Sequence, residues 1–234
     1  MHDKSVALVT GSNKGIGLEI CRQLAKKNIT VILTARDHLK GEEALKKLNT
    51  SNVYFHALDI TNPDSIEDIY DFVLKKFGRI DILINNAGIF LNEDKTGNVL
   101  TLDIQHIRKT METNLYGAIR ICQKFVPLMQ KHNFGRIINI SSQLGQLSSM
   151  NKTFTAYKIS KTALNAFTRI IADELKEYNI KVNSICPGWC KTDLGGWDAE
   201  RDASQGADTA VWLALQPDNS DSGFFFMDRK KIDW

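Results

Sequence analysis

The chain has 234 residues, 43% of them hydrophobic and 24% charged, with a formal net charge of +3. That composition can bury a sizeable core, and so small a charge, with acids and bases interleaved as in residues 40–47, gives no footing for nucleic acid or an acidic membrane surface. No apolar run nears the ~20 residues needed to span a bilayer, the opening stretch lacks a secretory layout, and Cys21, Cys122, Cys186 and Cys190 have neither metal-ligand nor CxxC spacing, all of which points to free thiols, no metal and a cytoplasmic, reducing compartment.

Apolar runs of strand length alternate with segments of helical period. Strands are expected over 6–10, 30–35, 53–57, 80–85, 136–141 and 181–186, near-continuously apolar as in strands covered on both faces. Helices are expected over 15–27, 38–48, 63–77, 102–131 and 155–178; Ile16, Ile20, Leu24 and Ile66, Ile69, Val73 recur at three- and four-residue steps. Asn62-Pro63-Asp64 reads as a helix start. A helical stretch near 203–215 and a last strand over 223–227 complete the pattern. Alternation of this kind predicts an α/β Rossmann-type fold, a doubly wound parallel sheet of about seven strands with helices on both faces. No linker or composition break divides it, so one domain is expected over 1–234.

The first strand-to-helix connection, TGSNKGIG over 10–17, places Gly11, Gly15 and Gly17 where a backbone turns tightly before a helix start. A pyrophosphate is the natural occupant of such a turn, although many only join strand to helix. Arg36 follows the second strand, where an acid would bind the ribose of NAD and an arginine accommodates the 2′-phosphate of NADP. Lys14 lies nearby, so NADP(H) is the expected cofactor unless both are solvated surface bases. Asp59, after the third strand, either accepts from an adenine amino group or caps a turn. Asn85, Asn86, Ala87 and Gly88 end the fourth strand, against a cofactor or as turn residues. Asn114 and Gly117 sit badly within a helical pattern, which marks a functional position, a local distortion or a tolerated cost.

The fifth strand delivers Ser141 and Ser142, whose hydroxyls can bond a substrate oxygen; no GxSxG arrangement suggests a hydrolase nucleophile. Tyr157 and Lys161 are four residues apart and share a helix face. An isolated phenol has a pKa of about 10, and a nearby ammonium favours the phenolate, so the pair is either an acid–base device or an aromatic on the core beside an exposed lysine. Beyond the sixth strand, Trp189, Leu194 and Trp197 either line a substrate cleft or pack ordinarily, and Gly195-Gly196 leaves the segment room to hinge.

Together, TGSNKGIG over 10–17, NNAG over 85–88, Asn114, Ser141-Ser142, YKISK over 157–161 and PGWCKT over 187–192 resemble the short-chain dehydrogenase/reductase family across nearly the whole chain. The C-terminal part resembles more narrowly its NADPH-dependent carbonyl reductases and plant relatives acting on terpenoid and alkaloid ketones. The resemblance implies reduction of a small ketone or aldehyde. Tyr157 would be the general acid, Lys161 would lower its pKa and hold the nicotinamide ribose, Ser142 would polarise the carbonyl, and Asn114 would organise a water linked to Lys161. Gly11, Asn13, Lys14, Gly15, Ile16, Gly17, Arg36, Asp59, Ile60, Asn86, Ala87, Gly88, Tyr157, Lys161, Pro187, Gly188 and Thr192 would contact the cofactor, and Ser142, Tyr157 and Trp189 the substrate.

Ser142 stands fifteen residues before Tyr157, slightly more than is common in the family, which leaves Ser141 and Ser148 as candidates. The long insertion before the tyrosine of monomeric carbonyl reductases is absent, which implies a homodimer or homotetramer through the helices over 102–131 and 155–178. Two other readings compete: an NAD(P)-linked alcohol or hydroxysteroid-type dehydrogenase working oxidatively, and a catalytically silent dinucleotide sensor, which would be expected to lack the tyrosine or the lysine.

Overall fold

Consecutive residues of a strand face opposite sides of a sheet, so an unbroken apolar run needs cover on both. The computed structural model, which describes residues 5–95 and 98–234, supplies that cover. Strands β1 (Val6–Val9), β2 (Thr30–Ala35), β3 (Val53–Ala57), β4 (Ile82–Asn85), β5 (Gly135–Ile140), β6 (Ile180–Ile185), β7 (Phe225–Met227) and β8 (Lys230–Ile232) form one sheet. Its order is β3-β2-β1-β4-β5-β6-β7-β8, parallel except for β8. Leu8, Ile32, Leu83, Ile137 and Val182 pack on one side with Ile69 and Val73 of helix α3 (Pro63–Phe77). Phe125 of α5 (Ala118–Lys131) and Ile171 of α6 (Thr155–Glu174) join that core. Their strand neighbours Val9, Val31, Leu33, Ile84 and Ile138 pack on the other side against α1 (Gly15–Ala25), α2 (His38–Leu48) and α7 (Ala203–Ala214), through Ile20, Leu24, Ala44 and Ala210.

Local chemistry sets the helix ends. Asn62 accepts from the Asp64 amide at 3.0 Å, Pro63 fills the first turn of α3, and Gly78 ends it in the left-handed region at φ 68°. The single helix expected over 102–131 is instead α4 (Ile104–Met111), a π-helical segment Glu112–Gly117, and then α5. Both poor helix formers, Asn114 and Gly117, fall within that segment, and a Cβ on Gly117 would lie 2.4 Å from Ile60 Cδ1. The helix expected over 155–178 stops at Glu174. Among the described residues there are eight strands rather than about seven, because Asp228 and Arg229 both take left-handed φ (51° and 61°) and fold the chain back in a two-residue hairpin.

From β1 the sheet runs one way through β2 to β3 and the other way from β4 onward. Loops at the carboxyl ends of β1 and β4 therefore part, leaving the crevice where open α/β sheets take their ligands. Among the described residues no helix is long and apolar enough to cross a membrane.

Candidate functional site

A cleft of about 1260 Å³ opens at that edge. Every residue expected from the sequence to face cofactor or substrate lines it, and of the expected catalytic set only Asn114 does not.

At one end lies the glycine turn. Gly11 takes φ 59°, and a Cβ there would stand 2.9 Å from Ala87 Cα, so both the turn and its closeness to the β4 loop require glycine. Asn86 braces the turn, its Nδ2 donating to the Thr10 and Gly11 carbonyls at 2.9 Å each, while Thr10 Oγ1 accepts from the Asn86 and Ala87 amides at 3.0 Å each. Lys14 puts no side-chain cap over the start of α1, and no acid sits in its first turn. The helix thus presents its first amides and positive end uncovered, a cradle suited to a pyrophosphate.

Arg36 and Lys14 both line this end, but they are not equivalent. Lys14 Nζ pairs with Asp193, whose carboxyl it holds below its ordinary range by that hydrogen bond. Arg36 is exposed, and no carboxylate of the described residues pairs with it. Asp59 takes the turn role foreseen for it. It lines the cleft, and its Oδ1 holds a turn by accepting from Thr61 N at 2.9 Å and Thr61 Oγ1 at 2.7 Å.

At the other end stand Ser142, Tyr157 and Lys161. Two short 3-10 turns, Gln143–Gly145 and Leu147–Ser149, take up the long interval before Tyr157. Ser142 caps the first of them, accepting from Leu144 N at 3.1 Å, and its hydroxyl faces the Tyr157 phenol closely enough to favour the phenolate. Ser141 is buried and points at the Lys161 carbonyl (3.4 Å); Ser148 is exposed and off the cleft. Lys161 is buried, with Nζ donating to the Ile140 carbonyl at 2.8 Å and lying 5.5 Å from the centre of the Tyr157 ring.

Electrostatics here run against one expectation. Desolvation pushes the Tyr157 phenol above its ordinary pKa; Cys186 adds to the rise and the Ser142 hydroxyl opposes it. Burial lowers Lys161 to about 8. Desolvation, which takes both groups out of water, sets the direction, and Lys161 does not lower the phenol as expected. At neutral pH the phenol is held neutral, the form that donates a proton.

Asn114 sits behind the cleft wall, buried in the π segment. Its Oδ1 accepts from Ile89 N at 2.8 Å, and its Nδ2 donates to the Ile89 carbonyl and to Ser160 Oγ at 3.0 Å each. Asn85 also faces inward, bonding Asn139 Oδ1 at 2.8 Å. Trp189 and Trp197, 54% and 75% exposed, line the cleft together with Leu194, so ordinary core packing does not describe them. Gly195 is not slack: a Cβ there would meet the Cys190 carbonyl at 2.2 Å, and its amide donates to Thr192 Oγ1.

Several residues of the site escaped sequence reasoning. Phe90 stands edge-on to Tyr157 (5.6 Å, 88°) and to Phe154 (5.4 Å, 68°), giving the tyrosine end an aromatic wall. Its place two residues beyond the strand-end glycine Gly88 was the available signal. Cys186, set aside as a free thiol, lines the cleft beside Tyr157 and Lys161; its Sγ accepts from Gln143 N and Gly188 N, and burial pushes its pKa up.

A family model described as short chain dehydrogenase matches residues 5–202. The (+)-neomenthol dehydrogenase of Capsicum annuum is 36% identical, with 97% of this chain and 96% of that protein covered. That alignment runs over 304 residues, so the relative carries segments this chain lacks. Carbonyl reductase [NADPH] 1 of Rattus norvegicus is 34% identical, with 99% of each chain covered. Among solved structures, salutaridine reductase from Papaver somniferum superposes with a TM-score of 0.82 at 31% identity, covering 95% of this chain and 99% of that one.

Proposed function

Since the chain belongs to the short-chain dehydrogenase family, we propose that it reduces a small ketone or aldehyde to the alcohol with NADPH, Tyr157 supplying the proton. One observation carries this reading: Tyr157, Ser142 and Lys161 line the same cleft as an uncovered helix start and an arginine with no carboxylate partner among the described residues. The cradle at Gly11 and α1 fits a pyrophosphate, and Arg36 fits a 2′-phosphate. When bound, the nicotinamide supplies the hydride to the carbonyl carbon.

The chain's own residues do the rest. Ser142 Oγ accepts from Leu144 N, and a carbonyl oxygen seated between it and the phenol would take the serine's proton in place of the phenol oxygen. Tyr157 passes its proton to that oxygen as negative charge develops, so no bare alkoxide forms. The Lys161 ammonium offsets the charge left on the phenolate. A Cβ on Gly88 would lie 3.4 Å from Asn114 Oδ1 and 3.5 Å from Lys161 Nζ, and we place the water that reprotonates the pair in that gap. Trp189, Leu194, Phe90 and Phe154 offer an apolar surface suited to a hydrophobic carbonyl compound. Arg36, standing where an acid would bind the ribose of NAD, disfavours an NAD-linked oxidative dehydrogenase, and the presence of Tyr157 and Lys161 disfavours a silent sensor. The experiment is NADPH oxidation across a panel of quinones, aromatic aldehydes, β-keto esters, steroids and monoterpene ketones; binding of NADPH with no turnover of any of them would favour the sensor.

The pH dependence has a definite sign. Reduction needs the Lys161 ammonium, whose pKa is about 8, while the phenol stays protonated beyond it. The kcat for reduction is therefore expected to be flat at lower pH and to fall as pH rises through about 8. A pH–rate profile that climbs across that range would contradict the assignment.

We also propose that the enzyme is a homodimer, the assembly unit being one dinucleotide-binding domain in a reducing compartment. Ile159, Ala163, Ala166 and Ile170 form one stripe along α6; Ile159 and Ile170 are exposed, beside a groove edged by Ile119, Pro127 and Phe167. A second copy would cover this face. Ile170→Glu is expected to halve the mass seen by light scattering. A native monomer, or an unchanged dimer in the variant, would refute this.

A further inference from the structure

Asp94 is a buried carboxylate that the reaction above does not use; only 1% of its surface is exposed. It lies in the 3-10 turn Asn92–Lys95, far from α6 in sequence, yet its Oδ1 accepts from Ala156 N and its Oδ2 from Tyr157 N, both at 2.9 Å. Phe154, just ahead of α6, takes a left-handed φ of 57° and offers no side-chain cap. Without Asp94, two amides of the first turn would lack partners in a buried place. A negative charge at the positive end of the helix adds to the attraction. On the same turn Lys158, itself buried, is attracted by Asp94, and its Nζ is anchored on the carbonyl and side chain of Asn151.

We propose that Asp94 is a positioning residue that sets where the Tyr157 phenol stands. It bonds the backbone amide of Tyr157 itself, so the root of the tyrosine is fixed from outside its own helix. The same segment brings Phe90 edge-on against the tyrosine ring. Backbone and ring are thus both held by the 90–94 stretch. A cap that only stabilised α6 could bond any first-turn amide, whereas this one ties the proton donor's position to the cleft wall.

The proposal rests on Tyr157 as proton donor, and a double-mutant cycle separates the two ideas. Asp94→Ala and Asp94→Asn are made in the native and the Tyr157→Phe backgrounds, with kcat, KM, NADPH binding and thermal midpoint measured for each. A misplacement of about 1 Å can cost on the order of a hundredfold, so Asp94→Ala should lower kcat by roughly tenfold to a hundredfold with NADPH affinity held within about twofold. Asp94→Asn keeps one acceptor but turns an NH2 toward the other amide, and should fall between. In the Tyr157→Phe background neither change should lower the residual rate further, because Asp94 acts through the phenol. Losses that multiply across the two backgrounds, or a lowered thermal midpoint with kcat intact, would overturn the proposal. If the alanine variant does not fold, the asparagine variant decides. Full kcat in Tyr157→Phe alone would instead overturn the donor reading, and this proposal with it.

Discussion

Tyr157→Phe should lower kcat for carbonyl reduction by roughly 10²- to 10⁴-fold, the contribution of a positioned general acid. The substitution removes one oxygen and keeps the ring. The edge-on contact with Phe90 persists, as do the backbone bonds to Asp94. The glycine turn and Arg36 lie at the other end of the cleft, so NADPH affinity should change by no more than about twofold to threefold, well under the 1.4 kcal/mol of a tenfold effect. Fluorescence titration with NADPH beside steady-state kinetics on one good substrate gives both numbers. A variant with native kcat would remove Tyr157 from the chemistry, whereas lost NADPH binding would mean that the substitution had disturbed the cleft as a whole.

Arg36→Ala is expected to weaken NADPH binding by roughly tenfold to a hundredfold, the scale of hydrogen bonds to a charged group, while leaving NADH within about twofold. The difference follows from the partners of the two bases. Lys14 is engaged with Asp193, and Arg36 has no carboxylate partner among the described residues. Because Arg36 is exposed, the loss should shrink as salt is raised. Paired dissociation constants for the two cofactors at low and moderate ionic strength provide the measurement. Equal losses for NADPH and NADH would take Arg36 away from the 2′-phosphate.

Much of this molecule was legible before any coordinates, for reasons that are local. Uninterrupted apolar runs demand cover on both faces, and the two cores do divide at successive residues such as Leu8 and Val9. Asn62, Pro63 and Gly78 act within a few residues of themselves, so the ends of α3 could be read directly. Gly11 could be singled out because only glycine meets both a left-handed turn and the approach of Ala87. The elements that misled were those whose signal lies elsewhere in the chain. The helix over 102–131 is interrupted at Glu112–Gly117, where Ile60 crowds Gly117, and β8 exists because two non-glycine residues adopt φ values that sequence rarely announces.

The site divides the same way. Sequence alone determined the fold class, the glycine turn before α1, the arginine after β2 and the Tyr157/Lys161 spacing, because each depends on residue type and short-range geometry. Tertiary structure placed the candidate serines: two 3-10 turns set the path from Ser142, which lines the cleft, to Tyr157, and leave Ser148 off it. It also decided the direction of the tyrosine's pKa, because desolvation depends on everything packed around the group and not on its sequence neighbours. Above all, it joined Asp94 to the amide of Tyr157 across sixty-three positions, a contact that only the folded chain creates.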